Sequence, residues 1–144
     1  MPFAVILFIL DQILKNWAYR ELSGKANFFI LGRIFSLEFY QNPGIAFGIP
    51  LPSWLFFLLT ALILIVLGYF AKEYYREKDS LGLFALVLII VGAISNIIDR
   101  LRFGYVIDYL NIAFWPVFNI ADIMVIAGVA ILLVKGIRET KKEN

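Results

Sequence analysis

The chain has 144 residues, 62% of them hydrophobic and 17% charged, with a formal net charge of +2 and a mean hydropathy of +0.86. That length holds one domain, and the composition is too apolar for a soluble globule, so a transmembrane bundle is the class to expect. The charge excess is too small for a nucleic-acid partner, and with no Cys or His there is no disulfide, thiol nucleophile, imidazole base or imidazole zinc ligand.

A bilayer core of about 30 Å needs roughly 20 mostly apolar residues in a helix. Four segments qualify. The first is residues 1–19, interrupted by Asp11 and Lys15. It has no basic leading region and no small-residue cleavage site, and it carries Asp in its apolar core, so it reads as a retained helix and not a cleavable signal. Only ten residues precede Asp11, so this helix is expected to barely reach the cytoplasmic interface or to begin at Met1. Asp11 and Lys15 stand at i, i+4, the spacing of a helical acid–base pair, and are expected to face the bundle.

Residues 25–50 differ in kind. Phe35-Ser-Leu37-Glu-Phe39-Tyr-Gln alternates at period two, which predicts a strand, and it runs into the turn signal Asn42-Pro43-Gly44. A small sheet on the outer membrane surface is expected here, with Phe35, Leu37 and Phe39 facing lipid or the bundle. The second span, 54–71, has no charge; the third, 81–98, turns polar only at its end; the fourth, 117–134, is polar only at its start.

Four spans put both termini on one side. That side holds Lys72, Arg76, Lys78, Lys135, Arg138, Lys141 and Lys142, seven basic residues against the five of the opposite loops, Arg20, Lys25, Arg33, Arg100 and Arg102. The excess places the termini in the cytoplasm, and Trp54 and Trp115 then fall at the outer interface. Asn96 and Asp99 at the end of helix three, Asp108 on the following loop, and Asn119 and Asp122 at the start of helix four therefore meet near the outer leaflet.

Asn-x-x-Asp occurs twice, at Asn96/Asp99 and Asn119/Asp122, and a spacing of three puts both side chains on one helix face. Two readings stand. Asp108 or Asn119 could cap helix four, and Asp99 could pair with Arg100 at the interface. Alternatively, two carboxyls held close together share a proton, so that one activates water while the other polarises a carbonyl or protonates a leaving amine. Asp122 lies inside its apolar segment, where a carboxylate without a role is costly. A Ser95–lysine pair would need Lys15, which already has Asp11 beside it. A proton-coupled carrier would use Asp11 and Asp122 as relays, but the carboxylates cluster at one face. A metal-dependent lipid-headgroup transferase would hold Mg²⁺ on its aspartates, yet no helix carries closely spaced acidic repeats.

In five places the sequence resembles lipoprotein signal peptidase, the signal peptidase II family of bacterial membrane aspartyl proteases. They are Asp11-Gln-Ile-Leu-Lys15, Asn42-Pro43-Gly44-Ile45-Ala46-Phe47, Gly92-Ala-Ile-Ser-Asn96-Ile-Ile-Asp99-Arg100, Val106-Ile-Asp108-Tyr109, and Phe118-Asn119-Ile-Ala121-Asp122. The resemblance implies an all-α membrane protein, one peptidase domain over residues 1–144, with four transmembrane helices and a small extracytoplasmic β-sheet between helices one and two. It implies Asp108 and Asp122 as the catalytic pair, with Asn42, Asn96, Arg100 and Asn119 lining the substrate site and Asp11, Lys15, Gly44, Asp99 and Ala121 supporting it. The implied substrate is a prolipoprotein already carrying diacylglyceryl on its lipobox cysteine, cut just before that cysteine. No cofactor and no metal are implied. The expected setting is a monomer in the bacterial cytoplasmic (inner) membrane, in contact with lipid and with its site near the extracytoplasmic face. Ser95 stands where the family commonly has glycine, which puts the local geometry there in question.

Overall fold

The computed structural model describes residues 2–25, 27–31, 34–44 and 52–143. Along the chain run α1 (Pro2–Glu21), β1 (Phe28–Leu31), β2 (Phe35–Asn42), α2 (Ser53–Arg76), α3 (Ser80–Phe103), β3 (Val106–Ile112) and α4 (Ile120–Glu143). Residues 45–47 of the second motif, Arg33 and Met1 lie outside the described residues.

Among the described residues, three helices carry stretches long and apolar enough to cross a membrane: Phe57–Arg76 in α2, Ser80–Phe103 in α3 and Ile120–Lys141 in α4. The fourth expected span, α1, is 20 residues long, but Asp11, Gln12, Lys15 and Asn16 keep it below that apolarity.

The helix limits shift from those expected, each for a local reason. α2 and α3 extend towards each other until only Glu77–Asp79 separate them, where Lys78 turns the chain at φ 58°. Asp79 then caps α3, its carboxylate accepting from the Gly82 amide at 3.0 Å. α3 does not stop at 98; it runs to Phe103 and ends on Gly104, whose φ of 82° is the left-handed cap position that glycine fills without strain. α4 begins at Ile120 and not at 117, because Phe118 is still bridged to β3, its amide donating to the Leu110 carbonyl at 3.0 Å.

The sheet also differs from expectation. It has the antiparallel order β1-β2-β3, and its third strand comes from the connection between α3 and α4. Asp108 therefore sits on a strand, not a loop. Val106 through Tyr109 are all buried, so the period-two alternation that marks a half-exposed strand is absent from this stretch. Between Leu37 and Tyr40 the pairing of β2 with β3 slips by one residue. This bulge re-aims the end of β2, where Asn42 lies diagonally across from Asp108.

The sheet rests on the end of α1. Leu37 and Phe39 of β2 turn to the bundle and pack against a buried cluster of Ala18, Leu22, Ile107 and Tyr109. Deeper in, Ala4, Leu88 and Met124 join α1, α3 and α4. No residue in the apolar stretch of α2 is fully buried within the chain, and Trp54 and Trp115 are exposed.

α3 and α4 run antiparallel in backbone contact. A Cβ on Gly92 would stand 2.6 Å from the Ala121 carbonyl oxygen, and one on Gly128 the same 2.6 Å from that of Ala85. Small residues permit this approach where apolar burial gives helices no driving force to associate. Gly92→Ala is expected to wedge α3 off the first turn of α4, costing about 1–3 kcal/mol. The thermal midpoint in detergent reads this, and an unchanged midpoint would sink the close-approach account.

Candidate active site

The site is built on the N-terminus of α4. A helix leaves its first amides without intrahelical partners, and here side chains and one backbone carbonyl take all of them. Asp11, reaching across from α1, accepts with Oδ1 from the Ile120 and Ala121 amides at 3.1 and 3.3 Å. Asn119 Oδ1 accepts from the Asp122 amide at 2.9 Å, and Asp122 Oδ2 accepts from the Asn119 amide at 3.3 Å. That reciprocal pair is a capping box, worth about 1 kcal/mol. The Asn119 carbonyl receives the Ile123 amide at 3.3 Å. The second Asn-x-x-Asp thus caps its helix, as the structural reading allowed, and Asp11 sets its negative charge on the positive end of the α4 dipole.

Behind this lies a buried charge cluster. Lys15 is 1% exposed, and its ammonium meets Asp11 Oδ2 at 3.0 Å, Asp99 Oδ2 at 2.9 Å and Asn96 Oδ1 at 2.8 Å. These three short contacts match its three protons, and Ser95 Oγ lies further off at 3.5 Å. Asp99 Oδ2 also accepts from the Ile107 amide at 3.2 Å, which fixes β3 one residue before Asp108. The expected Asp11–Lys15 pair is present, and Asp99 turns inward to the same ammonium. Among the described residues no buried side-chain polar atom lacks a hydrogen-bond partner.

In front of the cluster two side chains, Asn119 and Asn96, link Asp108 to Asp122. Asn119 Nδ2 donates to Asp108 Oδ1 at 2.7 Å and to Asn96 Oδ1 at 3.2 Å. Asn96 Nδ2 donates to Asp122 Oδ1 at 2.8 Å. The other oxygen of Asp108 accepts from Asn42 Nδ2 at 2.9 Å, and Asn42 Oδ1 accepts from the Gly44 amide at 3.1 Å. The Gly44 carbonyl in turn accepts from the Arg100 guanidinium. Asp108, 1% exposed, and Asn119 are buried; Asp122, Asn42, Asn96 and Arg100 are half-buried and form the open side.

Asp108 is pushed up from its ordinary value to about 7, first by burial and next by the charge of Asp122. Its bonds from Asn42 and Asn119 and the more distant Lys15 pull the other way and do not prevail. A carboxyl that keeps its proton near neutrality beside a second carboxyl is the arrangement acid–base chemistry needs.

All eleven residues singled out in the sequence therefore converge at one end of the bundle, although Ala121 contributes only its amide and its small size. Three contributors were not singled out for a site role. Tyr109, 1% exposed, donates to Asp11 Oδ1 at 3.0 Å; Ser95 donates to Asp11 Oδ2 at 2.6 Å; Gln12 donates to Ser95 Oγ at 2.8 Å. A hydroxyl beside each of the key residues Asp108 and Asn96 in otherwise apolar stretches was the available signal.

A family model described as signal peptidase (SPase) II matches residues 3–138. A lipoprotein signal peptidase of Halothermothrix orenii is 40% identical over 132 residues, covering 90% of this chain and 88% of its own. Another from Clostridium novyi is 38% identical over 150 residues, covering 98% and 100%. A solved structure titled as a bacterial membrane enzyme determined by the in meso method at 2.3 Å resolution superposes with a TM-score of 0.85 at 26% identity, covering 98% of this chain and 88% of that one. A second, at 1.9 Å, gives 0.79 at 28% identity, covering 92% and 88%.

Proposed function

The chain belongs to the signal peptidase II family, and from that premise we propose that it is an aspartic endopeptidase of the bacterial cytoplasmic membrane. It removes signal peptides from prolipoproteins that already carry diacylglyceryl, cutting just before the lipidated cysteine. The observation that carries the mechanism is the link of Asp108 to Asp122 through Asn119 and Asn96. It joins two carboxyls, of which Asp108 is pushed up to about 7 by its burial first and by the charge of Asp122 next.

In this reading the ionised member of the pair takes a proton from water as the water oxygen attacks the scissile carbonyl carbon. The protonated member donates to the carbonyl oxygen. Collapse of the tetrahedral intermediate breaks the C–N bond: the proton taken from water passes to the leaving amine, and one hydroxyl of the intermediate returns its proton to the carboxyl that had donated. Arg100 and the Asn42-Pro43-Gly44 turn stand beside the pair and hold the substrate backbone, and lipid tails lie along apolar helices such as α2. α1 crosses the membrane as the fourth span, its charges compensated inside the bundle by Asp99 and the first turn of α4. The termini then lie in the cytoplasm and the site at the extracytoplasmic face, in a single-domain monomer that uses no cofactor.

Gel mobility of a precursor before and after diacylglyceryl transfer tests the reading. Only the lipid-modified form is expected to be cut, and a chelator is expected to leave the rate unchanged. Equal cleavage of the unmodified form would sink the lipid requirement. Loss of activity with chelator and recovery with Mg²⁺ would favour a metal-dependent reaction instead.

A further inference from the structure

Asp11 takes five bonds in the polar interior, three on one carboxylate oxygen and two on the other. Its Oδ1 accepts from Tyr109 Oη and from the Ile120 and Ala121 amides; its Oδ2 accepts from Ser95 Oγ and Lys15. Each partner outside α1 lies one or two residues from a side chain of the candidate pair or its linkers. Tyr109 follows Asp108, Ser95 precedes Asn96, and Ile120 and Ala121 precede Asp122.

The two hydroxyls have fixed directions. Tyr109 Oη accepts from the Ile120 amide at 3.3 Å, so its one proton is left for Asp11. Burial first, and then the neighbouring Asp11 charge, push this phenol above its ordinary range, which keeps the proton in place. Ser95 Oγ likewise accepts from Gln12 Nε2 at 2.8 Å and gives its proton to Asp11. Successive side chains of a strand point to opposite faces. Thus Asp108 turns towards Asn42 and Asn119, while Tyr109 bolts the back of the same strand to α1 and α4.

We propose that Tyr109 and Ser95 are positioning residues for the Asp108–Asp122 pair, clasping Asp11 from both oxygens and so setting where β3 stands against the first turn of α4. This rests on that pair being the catalytic one. Tyr109 holds the strand that carries Asp108. Ser95 holds the turn of α3 from which Asn96 reaches Asp122. Neither touches substrate.

Tyr109→Phe keeps the ring and removes the hydroxyl, and Ser95→Ala removes the second hydroxyl. With the full chain in lipid nanodiscs and a diacylglyceryl precursor, assayed well below the thermal midpoint, each variant is expected to lower kcat about tenfold and leave KM within about twofold. The double variant is expected to lose less than the product of the two, because both act through one carboxylate. A merely structural role would lower the midpoint and leave kcat of the folded protein unchanged; that result, or a fully multiplicative double variant, overturns the proposal. Should Tyr109→Phe fail to accumulate, Ser95→Ala decides on the same kcat and KM criteria. Asp122→Asn in the same assay keeps the two questions apart. If that variant still cleaves, the reading of the pair fails, whatever Tyr109 and Ser95 do.

Discussion

Asp108→Asn and Asp122→Asn are each expected to reduce precursor cleavage by at least about 10³-fold, near the upper range for loss of a general acid or base. Both replacements are close in shape, so the loss is not expected to come from unfolding. Asp122 uses Oδ1 for Asn96 and Oδ2 for the Asn119 amide, and an asparagine retains one of these acceptors. Asp108 uses its two oxygens for Asn42 and Asn119; an amide there sets one NH₂ against another, which a flip of Asn42 relieves by giving up its bond from the Gly44 amide. The structural cost is one hydrogen bond, about 1 kcal/mol, whereas the chemical loss is complete because no neighbouring group replaces a carboxyl. Gel mobility of the lipidated precursor measures cleavage, and the thermal midpoint confirms folding. Full activity in either variant would end the two-carboxyl mechanism.

The same pair predicts the pH profile. Asp108 in the folded protein holds its proton up to about pH 7, against about 4 for an unperturbed aspartate. Cleavage is expected to fall as pH rises through about 7, when the pair loses its shared proton, and the apparent value belongs to the pair and not to one residue. The sign for stability is the same. A raised carboxyl favours the folded state fully below its unfolded value and loses that contribution as pH rises through the folded one. In Asp122→Asn the Asp108 carboxyl is expected to titrate lower than in the parent yet still above an ordinary aspartate, because burial is the larger cause of its shift. Carboxyl carbon NMR on labelled aspartate reads this directly.

The polar residues were legible in the sequence because a membrane chain makes them expensive. Asp11 and Lys15 at i, i+4, and the two Asn-x-x-Asp pairs, stood out from their apolar surroundings and all returned as neighbours. The strand around Asp108 did not stand out, since burial on both faces removes the alternation that identifies a strand. Its partner is β2, 64 to 77 residues earlier in the chain, and pairing over that distance leaves no local trace. An apolar count misplaces the helix limits where a cap sets them. The end of α3 lies at Gly104 and the start of α4 at Asn119, both marked by residues with conformational or hydrogen-bonding reasons to stop or start a helix. Ser95, a departure from the family pattern, was recognisable as a question but not as an answer, because its bond to Asp11 spans 84 positions.

Lys15→Met is expected to destabilise the protein by about 3–5 kcal/mol, the usual cost of removing one partner from a buried ion pair. Methionine fills a similar volume and removes no packing. What it removes is the only cation, among the described residues, that pairs with both Asp11 and Asp99, which are 0% and 1% exposed. Asn96 Oδ1 would keep the Asn119 bond; Asp99 would keep the Ile107 amide; but two carboxylates would face each other with no cation between them. Relief can come only from proton uptake or from α1 moving off α3, and the second course shifts Asn96 and with it Asp122. Cleavage is therefore expected to fall with stability. Adding Asp99→Asn to Lys15→Met removes one of the two uncompensated charges and is expected to restore part of the thermal midpoint, though less of the activity, since the acceptor for Ile107 is weakened. A Lys15→Met midpoint within about 2 °C of the parent, less than about 1 kcal/mol in a chain of this size, would show that the ammonium is not what holds the cluster together.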